Sequence, residues 1–374
     1  PDANTSASVS IDAISTDSGV STTDFITNDT TLSYSGTVSG FTDNGDAVKL
    51  ELQNASGAVV GTTYVTPASG AWSWNDTGVT RTSGNYTLVA TIVDKAGNVV
   101  TGATTDTQII TIDADGGTNT DHSSGGSTPQ PDANTSASVS IDAISTDSGV
   151  SGSDFITNDT TLSYSGTVSG FTDNGDAVKL ELKNASGAVV GTTYVTPASG
   201  AWSWSDTGVT RTSGNYTLVA TVVDAAGNAV TGATTDTQVI TIDANGGTNT
   251  DHSNGASTPQ TDANTSARVN IDAISTDSGV SGSDFITNDT SLIYSGSLTG
   301  FTANGDVVQL ELKDNTGAVL DTIFVTPSGN TWSWTDTTTN RADGNYTLVA
   351  TIVDAAGNAV TGATTDTQII TIDA

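Results

Sequence analysis

Along the chain the apolar residues fall in short runs at every second position, the spacing of a strand with one buried face. Val9 and Ile11 open the series, Leu32 and Tyr34 follow, and then Val48, Leu50 and Leu52 alternate with Lys49 and Glu51. Asn85 to Val93 is apolar on both phases, which predicts a central strand, and Gln108 to Asp113 supplies the last one. Turn signals stand between the runs: Asn44-Gly45 within Phe41 to Asp46, Asn54 to Gly57, Pro67 to Gly70, and the hairpin Asp94-Lys-Ala-Gly-Asn98. No stretch carries a helical period. Seven or so short strands with such turns predict an all-β chain built of immunoglobulin-like β-sandwiches. There is no cysteine, so one tryptophan of Trp72-Ser-Trp74 is expected to fill the core where a disulfide would otherwise pack.

The pattern occurs three times. The carboxylate-rich loop Ser15 to Asp29 returns at Ser145 and Ser275, a period of 130 residues, with the frame Asp-Ser-Gly-Val-Ser-x-x-Asp-Phe-Ile-Thr-Asn-Asp retained. So long a period encloses a whole fold rather than one coil of a solenoid. The predicted organisation is three tandem immunoglobulin-like domains joined by Gly/Ser/Thr-rich linkers. Repeat 1 takes residues 1–113, a linker 114–135, repeat 2 136–243, a second linker 244–265, and repeat 3 266–374. The linkers read as flexible coil. The alternative is that Asp113, Asp115, Asn119 and Asp121 wrap a cation and stiffen the first joint, although Asn245 replaces Asp115 in the second.

Charge adds a chemical theme to this frame. Forty-one acidic residues against nine basic ones give a net charge of −32, and only Glu51, Glu181 and Glu311 are glutamates. Aspartate suits turns and is the usual oxygen donor of calcium loops. Such a polyanion lacks the Lys/Arg footprint that nucleic acid requires and is expected to avoid anionic membranes. No apolar run of 18 residues is present. Pro1-Asp-Ala-Asn does not resemble a signal peptide, and the chain is expected to be a piece of a longer protein.

Immunoglobulin-like topology sorts the aspartates by pole. The loop between the first two strands and the end of the last strand share one pole, gathering Asp17, Asp24, Asp29 and Asp113. The opposite pole holds Asp43 and Asp46, the hairpin residues Asp94 and Asn98, and the domain start at Asp2 and Asn4. Chaining the units then places one acidic pole against the next. Unpaired carboxylates ~4 Å apart repel by about 1 kcal/mol in water and by more in a partly dehydrated loop. A hard cation removes that conflict, because calcium takes six to eight oxygens in flexible geometry. The candidate Ca2+ ligands are therefore Asp17, Asp24, Asp29, Asp94, Asn98 and Asp113, with Asp147, Asp154, Asp159, Asp224, Asn228 and Asp243 in repeat 2. Asp277, Asp284, Asp289, Asp354, Asn358 and Asp373 are their counterparts in repeat 3. The backbone at Gly19 and the hydroxyl of Thr27 are further candidate donors. The competing reading makes the same aspartates turn formers that cap local amides.

Catalytic chemistry has little to stand on. The only histidines, His122 and His252, fall in the linkers, so no domain can assemble a Ser-His-Asp arrangement, and no phosphate-cradling loop is present. The chain is not expected to be an enzyme. Trp72, Trp74, Tyr64 and Tyr86 could form a sugar-stacking platform, which keeps open a multivalent carbohydrate- or protein-binding module, although such residues are more often core.

The ordered set Ile14-Ser-x-Asp-Ser-Gly-x-Ser-x-x-Asp-Phe-Ile-Thr-Asn-Asp-Thr-Thr-Leu32, Gly70-x-Trp-Ser-Trp74, Gly84-x-Tyr86 and Val93-Asp-x-Ala-Gly-Asn98 resembles the bacterial immunoglobulin-like extender repeats of large biofilm adhesins of the RTX type. The resemblance covers all three units. It implies type I secretion to the surface of a Gram-negative cell, calcium-dependent rigidity, and a structural role in projecting a distal binding region. Neighbouring repeats of the same chain are the expected partners of each unit, no other ligand is assigned, and the chain is expected to be monomeric. Repeats of that family are often close to 100 residues with short joints, whereas this chain has longer spacers.

Overall fold

A computed structural model describes residues 4–116, 133–246, 263–337 and 341–374. Residues 117–132 and 247–262 of the two predicted linkers lie outside this set, and with them Asn119, Asp121, both histidines and Asp2 of the N-terminus.

Each repeat folds as two facing sheets, with eight strands where seven or so are predicted. In repeat 1, β1 (Ser8–Ile14), β3 (Ser33–Ser39) and β6 (Ala71–Asn75) form an antiparallel sheet in the order β1-β3-β6. The second sheet runs β2-β8-β7-β4-β5, from β2 (Ile26–Thr27), β8 (Thr105–Ile112), β7 (Gly84–Val93), β4 (Ala47–Asn54) and β5 (Val59–Val65). The extra strand is β2, two residues long, which pairs parallel with the end of β8 through Ile26↔Thr111 and Thr27↔Ile112. It is too short to show a period in the sequence. Repeats 2 and 3 repeat the same order from Ser138 to Ile242 and from Arg268 to Ile372.

The alternation seen in the sequence is the alternation of burial. Val48, Leu50 and Leu52 point inward beside Leu88, Ala90 and Ile92 of β7, all of them buried. Full burial of each large aliphatic side chain contributes about 1.5–3 kcal/mol. β7 is central between β4 and β8, as its apolar run predicts. Trp72 closes the core, its Nε1 donating to the carbonyl of Ser10 at 3.0 Å. Gly36 lies beneath it, and a Cβ there would stand 2.5 Å from the indole. Trp74 is half-buried against Tyr34, their ring centroids 5.1 Å apart. The sheets are also stitched by side chains: Asp106 Oδ2 accepts from Ile11 N at 2.7 Å, and Thr104 Oγ1 accepts from Val9 N.

The fold brings the predicted poles into being. The amide of Asp113 donates to Thr27 O and that of Thr111 to Phe25 O, which ties the acidic loop to the end of β8. At the other end Asn4, fully buried, clasps the β3–β4 turn: its Nδ2 donates to Asp46 Oδ2 at 2.7 Å and to Thr42 O at 2.9 Å. Asn134 and Asn264 do the same for Asp176 and Asp306. These residues, assigned by sequence to chain starts and linkers, are structural parts of the domain that follows.

Candidate metal centre and interdomain joint

Within the loop from Ser15 to Asp29 the carboxylates take different roles. Asp17 Oδ2 accepts from Phe25 N at 3.0 Å, while its Oδ1 is buried and has no hydrogen-bond partner. The same orphaned oxygen occurs at Asp147 and Asp277. Burial pushes the Asp17 carboxyl up to about 6; the Phe25 amide opposes the rise, and the neighbouring Asp24 adds to it. Asp147 is raised by the same causes. Asp24 accepts from Ile26 N at 3.1 Å, as Asp154 and Asp284 do in their loops. Next to Asp24, and donating its amide to Asp17, is Phe25 at φ 63°, left-handed backbone that a bulky residue rarely adopts, repeated at Phe155 and Phe285. A conformation of this kind costs about 1–3 kcal/mol and persists where surrounding structure fixes it.

Asp29 stands apart from that pair. Its Oδ1 accepts from both the amide and the hydroxyl of Thr31, at 2.8 and 2.9 Å. Burial works against its ionised form, but bonds from Thr31 and Thr16 prevail and hold the carboxyl below its usual range. Asp159 behaves likewise. Asp289, bonded to Ser291 N, is lowered chiefly by that amide. The Thr27 hydroxyl is engaged too, donating to Thr16 O at 2.6 Å and accepting from Asp29 N. In this loop the turn-forming role describes Asp29, and the crowded-carboxylate role describes Asp17 with Asp24.

The two poles meet across each joint. Ser18 Oγ donates to Ala226 O at 2.8 Å and Val20 N to Ala225 O at 3.2 Å, so the acidic loop of repeat 1 seats on the Asp224–Asn228 hairpin of repeat 2. Asn228 Nδ2 donates to Asp113 O at 2.8 Å, and Thr231 N to Gly116 O at 2.9 Å. The second joint repeats all four bonds: Ser148 to Ala356, Val150 to Ala355, Asn358 to Asp243, and Thr361 to Gly246. Two glycines permit this approach. A Cβ on Gly19 would lie 2.1 Å from Ala225 O, and one on Gly116 1.9 Å from Ala229 O. Sequence reading offered Gly19 as a backbone donor to a cation and placed Gly116 in the first linker, and foresaw a close approach at neither. Their recurrence at Gly149 and Gly246 was the available signal.

Docking also buries charge. Asp224 is fully buried, its Oδ1 accepting from Asn228 N at 2.9 Å and its Oδ2 from Asn228 Nδ2 at 2.9 Å. Burial pushes this carboxyl up to about 7; the Asn228 bonds oppose the rise, and the charges of Asp113 and Asp176 add to it. Asp113 and Asp176 are themselves buried. Asp354 is raised in the same way, chiefly by burial. Asp243 is buried opposite Asn358, whereas Asp373 lies exposed at the far pole of repeat 3. Among the described residues no group of three or more His, Cys, Asp or Glu is spaced to hold a metal ion. The candidate donors come instead as the Asp17/Asp24 pair, with its orphaned oxygen, and as Asp224 beside the backbone carbonyls of the joint, with the charges of Asp113 and Asp176 acting on it. Both suit a hard cation completed by carbonyl and water oxygens better than a closed protein cage.

The aromatic residues do not form a platform. Trp72 and Tyr86 are buried and Trp74 is packed on Tyr34, leaving Tyr64 as the exposed member of the four. No helix among the described residues is long and apolar enough to cross a membrane.

A bacterial Ig-like domain model matches residues 5–114, 134–244 and 264–374. The chain belongs to the bacterial Ig-like domain family. Solved structures similar to these bacterial Ig-like repeats include a tetra-tandem repeat from the extending region of a large adhesion protein, with 23% identity, 98% of this chain and 74% of that one covered, and a TM-score of 0.21. Part of a 1.5-MDa bacterial ice-binding adhesin is 20% identical over 97% and 96% of the two chains, with a TM-score of 0.25. The BSP domain of a biofilm-associated protein is 13% identical over 98% and 66%, with a TM-score of 0.20. A comparison with curated protein sequences finds no match.

Proposed function

We propose that this segment is a structural extender of a bacterial cell-surface adhesin, in which calcium bound at the loops and joints fixes tandem Ig-like domains so that they project a distal binding region in adhesion or biofilm formation. The observation that carries the reading is the joint: docking buries Asp113 and Asp224, whose counterparts Asp373 and Asp94 are not buried, and their charges act on one another together with that of the buried Asp176. Asp224, Asn228 and Asp113, their counterparts Asp354, Asn358 and Asp243, and the Asp17/Asp24, Asp147/Asp154 and Asp277/Asp284 pairs would hold the ion. Bound calcium would cancel the repulsion and stabilise the docked state by mass action. The chain has no catalytic role in this reading. Type I secretion from a Gram-negative cell is the route that its RTX-adhesin resemblance supports.

Small-angle X-ray scattering of the whole segment in calcium and in EGTA, with thermal melting alongside, tests the proposal. The expected result is a longer, stiffer particle with a higher melting temperature in calcium. Identical scattering and melting in the two buffers would discard calcium as the stiffening agent.

A further inference from the structure

Five asparagines of the chain precede a glycine, and four of these pairs lie among the described residues: Asn44-Gly45, Asn174-Gly175, Asn304-Gly305 and Asn245-Gly246. Such a pair is chemically labile, because with no side chain on the second residue its amide nitrogen can reach the asparagine carboxamide. The first three belong to the turn that follows β3 in repeat 1 and to its counterparts, and each is held within one domain. Asn44 Oδ1 accepts from Asp46 N at 3.1 Å, Asn174 Oδ1 from Asp176 N and Asn134 Nδ2, and Asn304 Oδ1 from Asp306 N and Asn264 Nδ2. The fold around them fixes these three carboxamides.

Asn245-Gly246 is held by the second joint instead. Asn245 is exposed and Gly246 buried, the carbonyl of Gly246 accepting from Thr361 N at 2.9 Å, while Asn358 Nδ2 donates to the nearby carbonyl of Asp243 at 2.8 Å. Gly246 does not occupy left-handed backbone; glycine is required there for space, since a Cβ would lie 2.0 Å from Ala359 O. The contact that seats repeat 3 on repeat 2 therefore demands the residue that makes Asn245 reactive. The first joint has the same glycine, Gly116, but Asp115 precedes it. The main chain is alike at both places, the amide of Asp115 donating to Asp113 Oδ1 and that of Asn245 to Asp243 Oδ1, each at 3.4 Å. The first joint thus already carries the residue that hydrolysis of Asn245 gives.

We propose that Asn245 is a deamidation site gated by docking, through which the second joint undergoes a one-way change. The amide nitrogen of Gly246 attacks Cγ of Asn245 and closes a succinimide ring. As the new N–Cγ bond forms, the Cγ–Nδ2 bond breaks, and the displaced nitrogen leaves as ammonia with the proton of the Gly246 amide. Water then opens the ring at either carbonyl, giving aspartate or isoaspartate. The docked main chain resists the attack, because ring closure swings the Gly246 peptide out of the line that its bond to Thr361 N fixes. Aspartate adds one negative charge and reproduces the sequence of the first joint. Isoaspartate inserts a methylene into the main chain and displaces Gly246 O from Thr361 N, which loosens the joint. No step needs a bound cation.

The whole chain, kept at neutral pH in EGTA and sampled over time by tandem mass spectrometry, tests this, with isoaspartate read by enzymatic methylation. Fragment spectra separate Asn245 from the Asn254-Gly255 pair, which lies outside the described residues. Conversion at Asn245 is expected to run severalfold faster than at Asn44, Asn174 or Asn304. Asn358→Ala, which removes the bond to Asp243 O, should speed it severalfold again and leave Asn44 unchanged. Scattering should report a looser particle as isoaspartate accumulates, whereas fresh Asn245→Asp should scatter as fresh wild type does. An intact Asn245, or one that converts no faster than the three turn asparagines, would overturn the proposal. A rate indifferent to Asn358→Ala would overturn the gating by docking. A loosened Asn245→Asp would overturn the assignment of the loosening to the lengthened main chain.

Discussion

The hairpin of repeat 1 and the hairpin of repeat 2 are the same local structure in two settings. Asp94 and Asp224 each accept from the amide and side chain of the asparagine four residues on. In the open, the Asn98 side chain and amide hold the Asp94 carboxyl below its usual range. In the joint, burial pushes the Asp224 carboxyl up to about 7 despite the same bonds, with Asp113 and Asp176 contributing. Local hydrogen bonding therefore sets the loop's shape, and docking sets its charge chemistry. The joint changes an ordinary turn aspartate into a group that resists ionising at neutral pH.

The largest way to break that comparison is to undock the hairpin. Gly116 does not occupy left-handed backbone, so valine there tests the joint and not the local conformation. Gly116→Val with Gly246→Val should separate the repeats while leaving each sandwich folded. Scattering should report a more flexible particle, and the Asp224 carboxyl, followed by NMR, should fall to the low range of Asp94. A docked Asp224 in that variant would refute the role given to these glycines.

A smaller change keeps the dock and removes the charge. The folded pKa of Asp224 is raised above its unfolded value, so its contribution is fully present below the unfolded value of 3.8 and is lost as pH rises through about 7. At pH 8 without calcium, holding it ionised costs on the order of 4 kcal/mol at most, from roughly three pH units at 1.36 kcal/mol each. Wild type in EGTA should thus melt higher at pH 5 than at pH 8. Asp224→Asn should melt higher than wild type at pH 8 in EGTA and respond less to added calcium. A variant less stable than wild type under those conditions would mean that the carboxylate has a favourable partner in the joint.

Much of this was legible in residues and some was not. Val48, Leu50 and Leu52 announced β4 because burial on one face imposes a period of two, and the turn residues placed the poles. The acidic cluster was legible only as a composition. Asp17 and Asp29 look alike in sequence, yet one leaves an oxygen orphaned in a buried loop and the other caps Thr31. That difference depends on which way each side chain turns, which spacing does not encode. The joint was least legible, since Ser18 and Ala226 are 208 residues apart and their bond runs to a backbone carbonyl that carries no residue identity.

The smallest effect sharpens the comparison from the exposed side. Asp94→Asn keeps the Oδ1 that accepts from Ala96 N at 2.9 Å and Asn98 N at 2.8 Å, and loses only the ionised contact with Asn98 Nδ2. The folded pKa of Asp94 is depressed, so its stabilisation is present above the unfolded value and lost as pH falls through the folded one. At pH 8 the variant should therefore be slightly looser at this hairpin, and the gap should close in acid. This is the opposite sign to Asp224→Asn. Amide exchange at Gly97 and Asn98 reads the effect locally, without contributions from the other repeats. Equal and same-signed shifts at the two hairpins would show that burial in the joint does not govern their charge, and the contrast between free and docked loops would have to be sought in the backbone instead.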